Sequence, residues 1–278
     1  HYIGNCINSL LSNKSNDFEI IVSDNNSNDN TIKILKIFND DRLKVIENKK
    51  KITPFENHWR AFDDAAGEFV FFIGGDDYFT EGVIDQYIGQ LKPNRIYMGM
   101  VNCFSDKSQK SIKVVNKPSQ LNGNFFNNER FITNYLRNIN HDELFFSFIP
   151  RKTMKRARAI FGNGLESYQS WLCIIVFSDP TIKNVEYLDD VIFNKRYDKK
   201  YGHLNMASDI YHSPYTNTYI YKSIVSIYFS IIAYLNGYSI VTLFYLLFNK
   251  RNINNNSRGF LGRQINSKKP GWYFGPIF

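Results

Sequence analysis

Two apolar runs that each end abruptly in carboxylates constrain this chain more than any other feature. The first is Glu19-Ile-Ile-Val-Ser-Asp24, continuing through Asn25, Asn26, Ser27, Asn28, Asp29 and Asn30 to Thr31. The second is Gly67-Glu-Phe-Val-Phe-Phe-Ile73, followed by Gly74, Gly75, Asp76 and Asp77. A run of Val, Ile and Phe without polar alternation reads as a strand buried on both faces, the kind found in parallel sheets. In open α/β sheets, ligands bind in the crevice outside the carboxyl ends of the strands. Two such strands, each delivering aspartate at that end, predict one polyanionic ligand held through a divalent cation.

The surrounding pattern alternates. Helices are predicted over 2–12, 31–38, 54–66 and 80–91, and strands over 18–23, 43–47 and 68–73. Strands alternating with helices predict an α/β fold with a mostly parallel sheet flanked by helices. Asp29, Asn30 and Thr31 supply cap chemistry for the second helix, and Thr53-Pro54 puts proline at the first helical position of the third. Arg95–Ser105 reads as a further strand with a hairpin partner at 111–115. Beyond it come a helix over 128–137, a short apolar element from Glu143 to Ile149, the basic run Arg151, Lys152, Lys155, Arg156 and Arg158, a helix over 166–177 and a strand over 183–193.

Bulk composition excludes several classes. An apolar content of 43% against 22% charged is the balance of a globular chain, not a disordered one. Cys6, Cys103 and Cys173 are odd in number and far apart, so neither a disulfide framework nor a zinc site is expected, and a reducing, cytosolic setting fits best. The start of the chain reads as an amphipathic helix, not a signal peptide. A net charge of +8 favours an anionic partner. The basic residues are scattered, however, and no recognition motif accompanies them, so nucleic acid is not the expected partner.

The two carboxylate-ended runs, in this order and at this distance, resemble the family 2 glycosyltransferases of the GT-A fold, whose members commonly read "EIIVVDDGSTDGT" and then "GEYILFLDADD". The resemblance covers residues 2 to 90, with a weaker echo to about 205. Tyr2-Ile-Gly-Asn-Cys-Ile-Asn-Ser-Leu-Leu11 is similar to the family's "YLxECLxSLLxQ", the helix after the first strand, and the resemblance implies that this strand is expected ahead of His1. The resemblance implies a GT-A domain over 1–212, with a nucleotide-sugar half (1–115) and an acceptor half (116–212). It also implies Mn²⁺ or Mg²⁺ as cofactor, inversion at the transferred sugar, and a donor that is a nucleotide sugar. The acceptor would be a glycan or lipid-linked hydroxyl, and the setting the inner face of a bacterial-type membrane.

Residue by residue, Ile73-Gly-Gly-Asp-Asp77 overlays "LDADD". Asp76 falls on the last aspartate of the family's DxD and, with Asp77, is the candidate metal ligand. Gly74 replaces the first aspartate of that motif, and Gly75 lies between them in the donor site. Such hard oxygen donors suit Mg²⁺ or Mn²⁺. Asp24 matches the first aspartate of "VDDGS", and a carboxylate there can accept the N3–H of uracil, which favours a UDP-sugar. Asn25 replaces the second aspartate, and Asn26 follows it in the same binding loop. Asp29 reads as a helix cap ahead of a ligand contact. Arg60 matches a basic residue ahead of the metal motif and could pair with a diphosphate, or be a solvated helix-face arginine. His58 reads as a surface histidine.

For the catalytic base, Glu166 matches the first acid of "EDxDLWLRL", while Ser167 and Gln169 stand where acids often occur. Asp142 and Glu143 are the reserve. Arg196 and His203 echo "YRxH", leaving His203 as a third metal ligand, a phosphate contact or an ordinary loop residue. Two alternatives stay open: a degenerate, non-catalytic homologue and a sugar nucleotidyltransferase. The similarity of Gly74-Gly-Asp-Asp77 to the diguanylate cyclase signature is superficial, because Tyr78 follows and the Asp24 motif has no place there.

From Ser223 to Phe248 the chain carries no charge, with Asn236-Gly237 as a turn in the middle and basic residues on both flanks. An apolar helical hairpin with a basic tail over 213–278 suits an anionic membrane face. The alternative is a helical appendage packed on the core or at a homo-oligomer contact.

Overall fold

The structure is a computed structural model, and it describes residues 2–105, 111–115, 125–127, 146–161, 179 and 181–196. The helices expected over 128–137 and 166–177, the 213–278 hairpin, and Asp142, Glu143, Glu166 and His203 lie outside the described residues. Two compact units are distinguished. One comprises His1–Ser119, Phe146–Lys152 and Glu186–Lys199, and the other Gln120–Phe145, Thr153–Val185 and Lys200–Phe278.

The first unit opens with α1 (Tyr2–Leu11), whose Cys6, Ile7 and Leu10 repeat at helical spacing and are buried. The end of α1 is closed from a distance. Arg42 donates from Nη2 to the Leu11 carbonyl, one of the oxygens a helix end leaves orphaned, and from Nη1 to the carbonyls of Asn13 and Ser15 in the segment that follows. Next come β1 (Ile20–Asp24), α2 (Thr31–Leu35) and β2 (Leu43–Glu47), and β1 pairs with β2 in parallel, Ile20 opposite Leu43 and Asp24 opposite Glu47. Helix α3 (Pro54–Asp64) begins as its sequence predicts. Thr53 caps it, Glu56 closes a capping box and Pro54 sits in the first turn, an arrangement worth about 1 kcal/mol.

The remaining elements are β3 (Phe69–Val70), β4 (Tyr78–Phe79), α4 (Val83–Tyr87), β5 (Arg95–Phe104), β6 (Ser111–Val115), β7 (Phe125–Asn127), β8 (Ser147–Pro150), α5 (Arg151–Phe161) and β9 (Asn184–Arg196). A second sheet runs β3-β8-β5-β9-β4, with β6 on β5. The fold is α/β with a mixed sheet. Parallel pairing holds for β1–β2, whereas β3–β8, β4–β9, β5–β6 and β5–β8 are antiparallel.

Three expected elements are shorter than their sequence pattern. The run over 68–73 contributes only Phe69 and Val70 to a ladder, opposite Pro150 and Ile149 of β8. Its later residues are held by packing instead: Phe71 meets the rings of Phe79, Phe148 and Phe193 at 4.8–5.9 Å. The helix over 31–38 stops at Leu35, and that over 80–91 becomes α4 followed by a 3₁₀ turn, Ile88–Gln90. In the other direction, the basic run after Pro150 is a helix, α5, and the late strand continues to Arg196.

The core of this unit joins Ile7 and Leu10 of α1 to Tyr97, Leu188, Ile192 and Phe193 of the second sheet. Full burial of a side chain such as Phe193 contributes about 1.5–3 kcal/mol. Gly99 has no alternative here, since a Cβ on it would stand 1.7 Å from Ile192 Cγ1. In the other unit, the buried Asp179 carboxylate accepts from Thr153 Oγ1, Arg156 Nη1 and the Thr181 N–H. Those partners hold it below the ordinary carboxylate range, against the opposing effect of burial.

Candidate active site

The end of β1 is a closed polar knot. Asp24 is buried, and its Oδ2 accepts the Ser27 N–H at 2.9 Å, tightening the turn in which Asn26 takes a positive φ of 56°. Asparagine tolerates that left-handed conformation better than most residues. Asn48 donates its N–H and its Nδ2 to the Asp24 carbonyl. Asn25 uses both ends of its amide on one residue, donating to the Ile52 carbonyl and accepting the Ile52 N–H, each at 2.8 Å. An aspartate could make only the second bond. At the opening of α2, Asp29 accepts the Thr31 N–H at 2.9 Å, while the N-cap position belongs to Asn30.

Two adjacent residues of α3 tie this knot to the second carboxylate run. Asn57 Oδ1 accepts from Ser23 Oγ, its Nδ2 donates to the Ser23 carbonyl, and Asn48 Nδ2 joins the same group. His58 packs edge-on against Phe72, ring centroids 5.5 Å apart, and is half-buried. The runs also start level, because Glu19 Oε1 accepts the N–H groups of Ala66 and Gly67. Ser23 lies one residue before Asp24, and Phe72 two before Gly74. One helix therefore brackets both carboxylate-bearing ends.

The second run ends in a turn closed by the Asp77 N–H on the Gly74 carbonyl at 3.1 Å. Asp76 is exposed and Asp77 buried. Both carboxylates lean over the bare face of Gly74. A Cβ there would stand 2.8 Å from Asp76 Oδ1 and 3.2 Å from Asp77 Oδ2. Burial first, and the Asp76 carboxylate second, push the Asp77 carboxyl up to about 7. From below, Cys6 Sγ reaches the Gly74 carbonyl at 3.7 Å, and Ser9 Oγ accepts the Phe79 N–H at 3.0 Å. Burial, then Asp77 and Asp76, push the Cys6 thiol up to about 12, so it stays a protonated donor. Gly75 is exposed beside Ile3, whose Cδ1 would lie 3.2 Å from a Cβ at that position.

This donor set fits a hard divalent cation. Two carboxylates converge on one point, and their repulsion, which a cation would relieve, contributes to the raised Asp77 pKa. Mg²⁺-type sites often use one or two carboxylates and complete the shell with water and substrate phosphates. Among the described residues, no group of three or more His, Cys, Asp or Glu is arranged to hold a metal. Arg60 is exposed on α3, three residues after Asn57 on the same helix. Asn48, Asn57, Cys6 and Ser9 had no local sequence signal, since each acts on a residue distant in sequence.

The family model for glycosyl transferase family 2 matches residues 1–155, more than half of the chain, and the chain belongs to that family. It is 35% identical over 105 residues to the GalNAc(5)-diNAcBac-PP-undecaprenol beta-1,3-glucosyltransferase of Campylobacter jejuni. That alignment covers 36% of this chain and 33% of the relative, so the chain spans about a third of that relative's length. Among solved structures, S. aureus TarS 1–349 aligns with a TM-score of 0.64 at 14% identity, covering 97% of this chain and 72% of that one. TarS 1–349 in complex with UDP-GlcNAc aligns with a TM-score of 0.64 at 16% identity, covering 93% and 69%. These likenesses establish the GT-A fold. Among the described residues, no helix is long and apolar enough to cross a membrane.

Proposed function

We propose that this chain transfers a sugar, with inversion, from a UDP-sugar to a hydroxyl of a glycan or lipid-linked acceptor in the synthesis of a surface polysaccharide or glycolipid. The observation that carries this reading is the convergence of Asp76 and Asp77 over Gly74, with Asp24 at the end of β1 and α3 tied to both runs. Asp24 would accept the uracil N3–H. Asp76 and Asp77 would hold Mn²⁺ or Mg²⁺, which when bound neutralises charge on the departing diphosphate. Arg60 and the exposed backbone at Gly75 and Asn26 would border the donor. The C. jejuni relative is named for an undecaprenol-linked substrate and TarS was crystallised with UDP-GlcNAc, which supports a lipid-linked acceptor and a UDP donor here.

Inversion requires the acceptor oxygen to attack the anomeric carbon from the face opposite the diphosphate. The new C–O bond forms as the bond to the diphosphate breaks, and the hydroxyl proton passes to a carboxylate base. Glu166 is the proposed base, with Asp142 in reserve, and His203 a further candidate near the diphosphate. The proposed setting is peripheral, on the inner membrane face, with the 213–278 segment on anionic lipid.

Thermal-shift binding across UDP, GDP, CDP and dTDP, each with Mn²⁺ and with EDTA, tests the donor class. Stabilisation by UDP that grows with Mn²⁺ is expected. No shift with any nucleotide would favour a non-catalytic homologue. Glu166→Gln should keep donor binding and lose transfer, and an active variant would move the base to Asp142.

A further inference from the structure

A four-residue turn closed by one backbone bond does not by itself keep two like-charged carboxylates side by side. Arg196, the last residue of β9 and 120 positions from Asp76, supplies what the turn lacks. Its backbone N–H donates to Asp77 Oδ1 at 2.8 Å, and its Nε donates to the Asp76 carbonyl at 3.0 Å. The guanidinium carbon lies 3.9 Å from the ring centroid of Tyr2 and 5.0 Å from that of Phe104. Tyr2 begins α1 and Phe104 ends β5, so one side chain joins three elements to the turn. Its Nε bond goes to the main chain of Asp76. That bond fixes the backbone from which the carboxylate hangs and leaves the carboxylate oxygens for another partner. A planar guanidinium can stack and donate along Nε together, which a lysine ammonium cannot.

We propose that Arg196 is a positioning residue for the carboxylate pair: stacked against Tyr2 and Phe104, it holds the Gly74–Asp77 turn in the shape that presents Asp76 and Asp77 together. This rests on the reading that the pair takes a divalent cation with the donor diphosphate. Partners that orient metal ligands typically change metal affinity 10- to 100-fold when removed.

The test is Mn²⁺ binding by electron paramagnetic resonance on the full chain with UDP, beside melting curves in EDTA. Arg196→Lys keeps the charge and the backbone N–H but loses the Nε bond and the planar stack. It is expected to bind Mn²⁺ about tenfold or more weakly, with a melting temperature in EDTA within about 4 °C of wild type. Tyr2→Leu should weaken Mn²⁺ about threefold, and Tyr2→Phe should restore it. A folded Arg196→Lys with wild-type Mn²⁺ affinity overturns the proposal. Should that variant not fold, the Tyr2 pair decides, because Tyr2 is 42% exposed and not needed for the core. Equal affinity in Tyr2→Leu, Tyr2→Phe and wild type overturns it as well. A wild-type chain that binds no Mn²⁺ with UDP sinks the functional reading first, and this inference with it.

Discussion

The two carboxylate-ended runs look alike in sequence, yet they are held in opposite ways. The Asp24 end is a local construction: Ser27, Asn48, Ile52 and Asn57 all lie within 34 residues of the groups they bond. The Asp76–Asp77 end is secured by Cys6 and Ser9, about 70 positions before it, and by Arg196, about 120 after it. A polar knot built locally needs only the correct loop. A charged pair needs opposing scaffolding, because two carboxylates placed together repel and one of them is buried.

The largest effect that would separate these ends is on turnover. Asp76→Asn should lower transfer by about a thousandfold or more, since metal stabilisation of leaving-group charge is worth several kcal/mol. Product measured by mass spectrometry from UDP-sugar donors reads it, and a variant with more than a tenth of wild-type activity would detach Asp76 from the chemistry.

Next is a pH effect confined to the Asp77 end. Its carboxyl is pushed from 3.8 to about 7, so the folded chain keeps a proton that the unfolded chain has released. Stability of the metal-free protein should therefore fall as pH rises from about 4 to about 7. Mn²⁺ affinity should climb over the same window, because ligation requires the carboxylate. Asp77→Asn should flatten the contribution of this group in melts run in EDTA from acid to neutral pH. An unchanged slope in that variant would assign the dependence to other groups.

The smallest effect probes the local end. Asn25→Asp keeps the acceptor for the Ile52 N–H and loses the donor to its carbonyl. A cost of about 1–3 kcal/mol is expected. UDP binding should weaken equally with Mn²⁺ and with EDTA. A loss seen only with Mn²⁺ would mean that the two ends are not independent.

This contrast also explains what was legible in sequence. β1, β2 and the start of α3 could be read because apolar runs and the Thr53-Pro54 start act over a few residues, while the Glu56 half of the capping box came with the structure. The Asp24 and Asp76–Asp77 positions stood out as charge ending an apolar strand. The short ladder of β3 was hidden, since Phe71–Ile73 look like strand in composition but hold their place by ring packing. Helix α5 was masked by its basic residues, although Thr153 and Met154 on it are buried. Asn25 seemed a lost acid until Ile52 showed why an amide is required. The scaffolding of Asp77 by the backbone N–H of Arg196 has no side-chain signature at all.

Calorimetric titration of UDP onto wild type, Asp24→Ala and Asp76→Asn, each with Mn²⁺ and with EDTA, tests the central claim most directly. The account predicts that Asp24→Ala weakens UDP in both conditions, whereas Asp76→Asn removes only the gain that Mn²⁺ provides. Retention of that gain by Asp76→Asn, or full binding by Asp24→Ala, would contradict it.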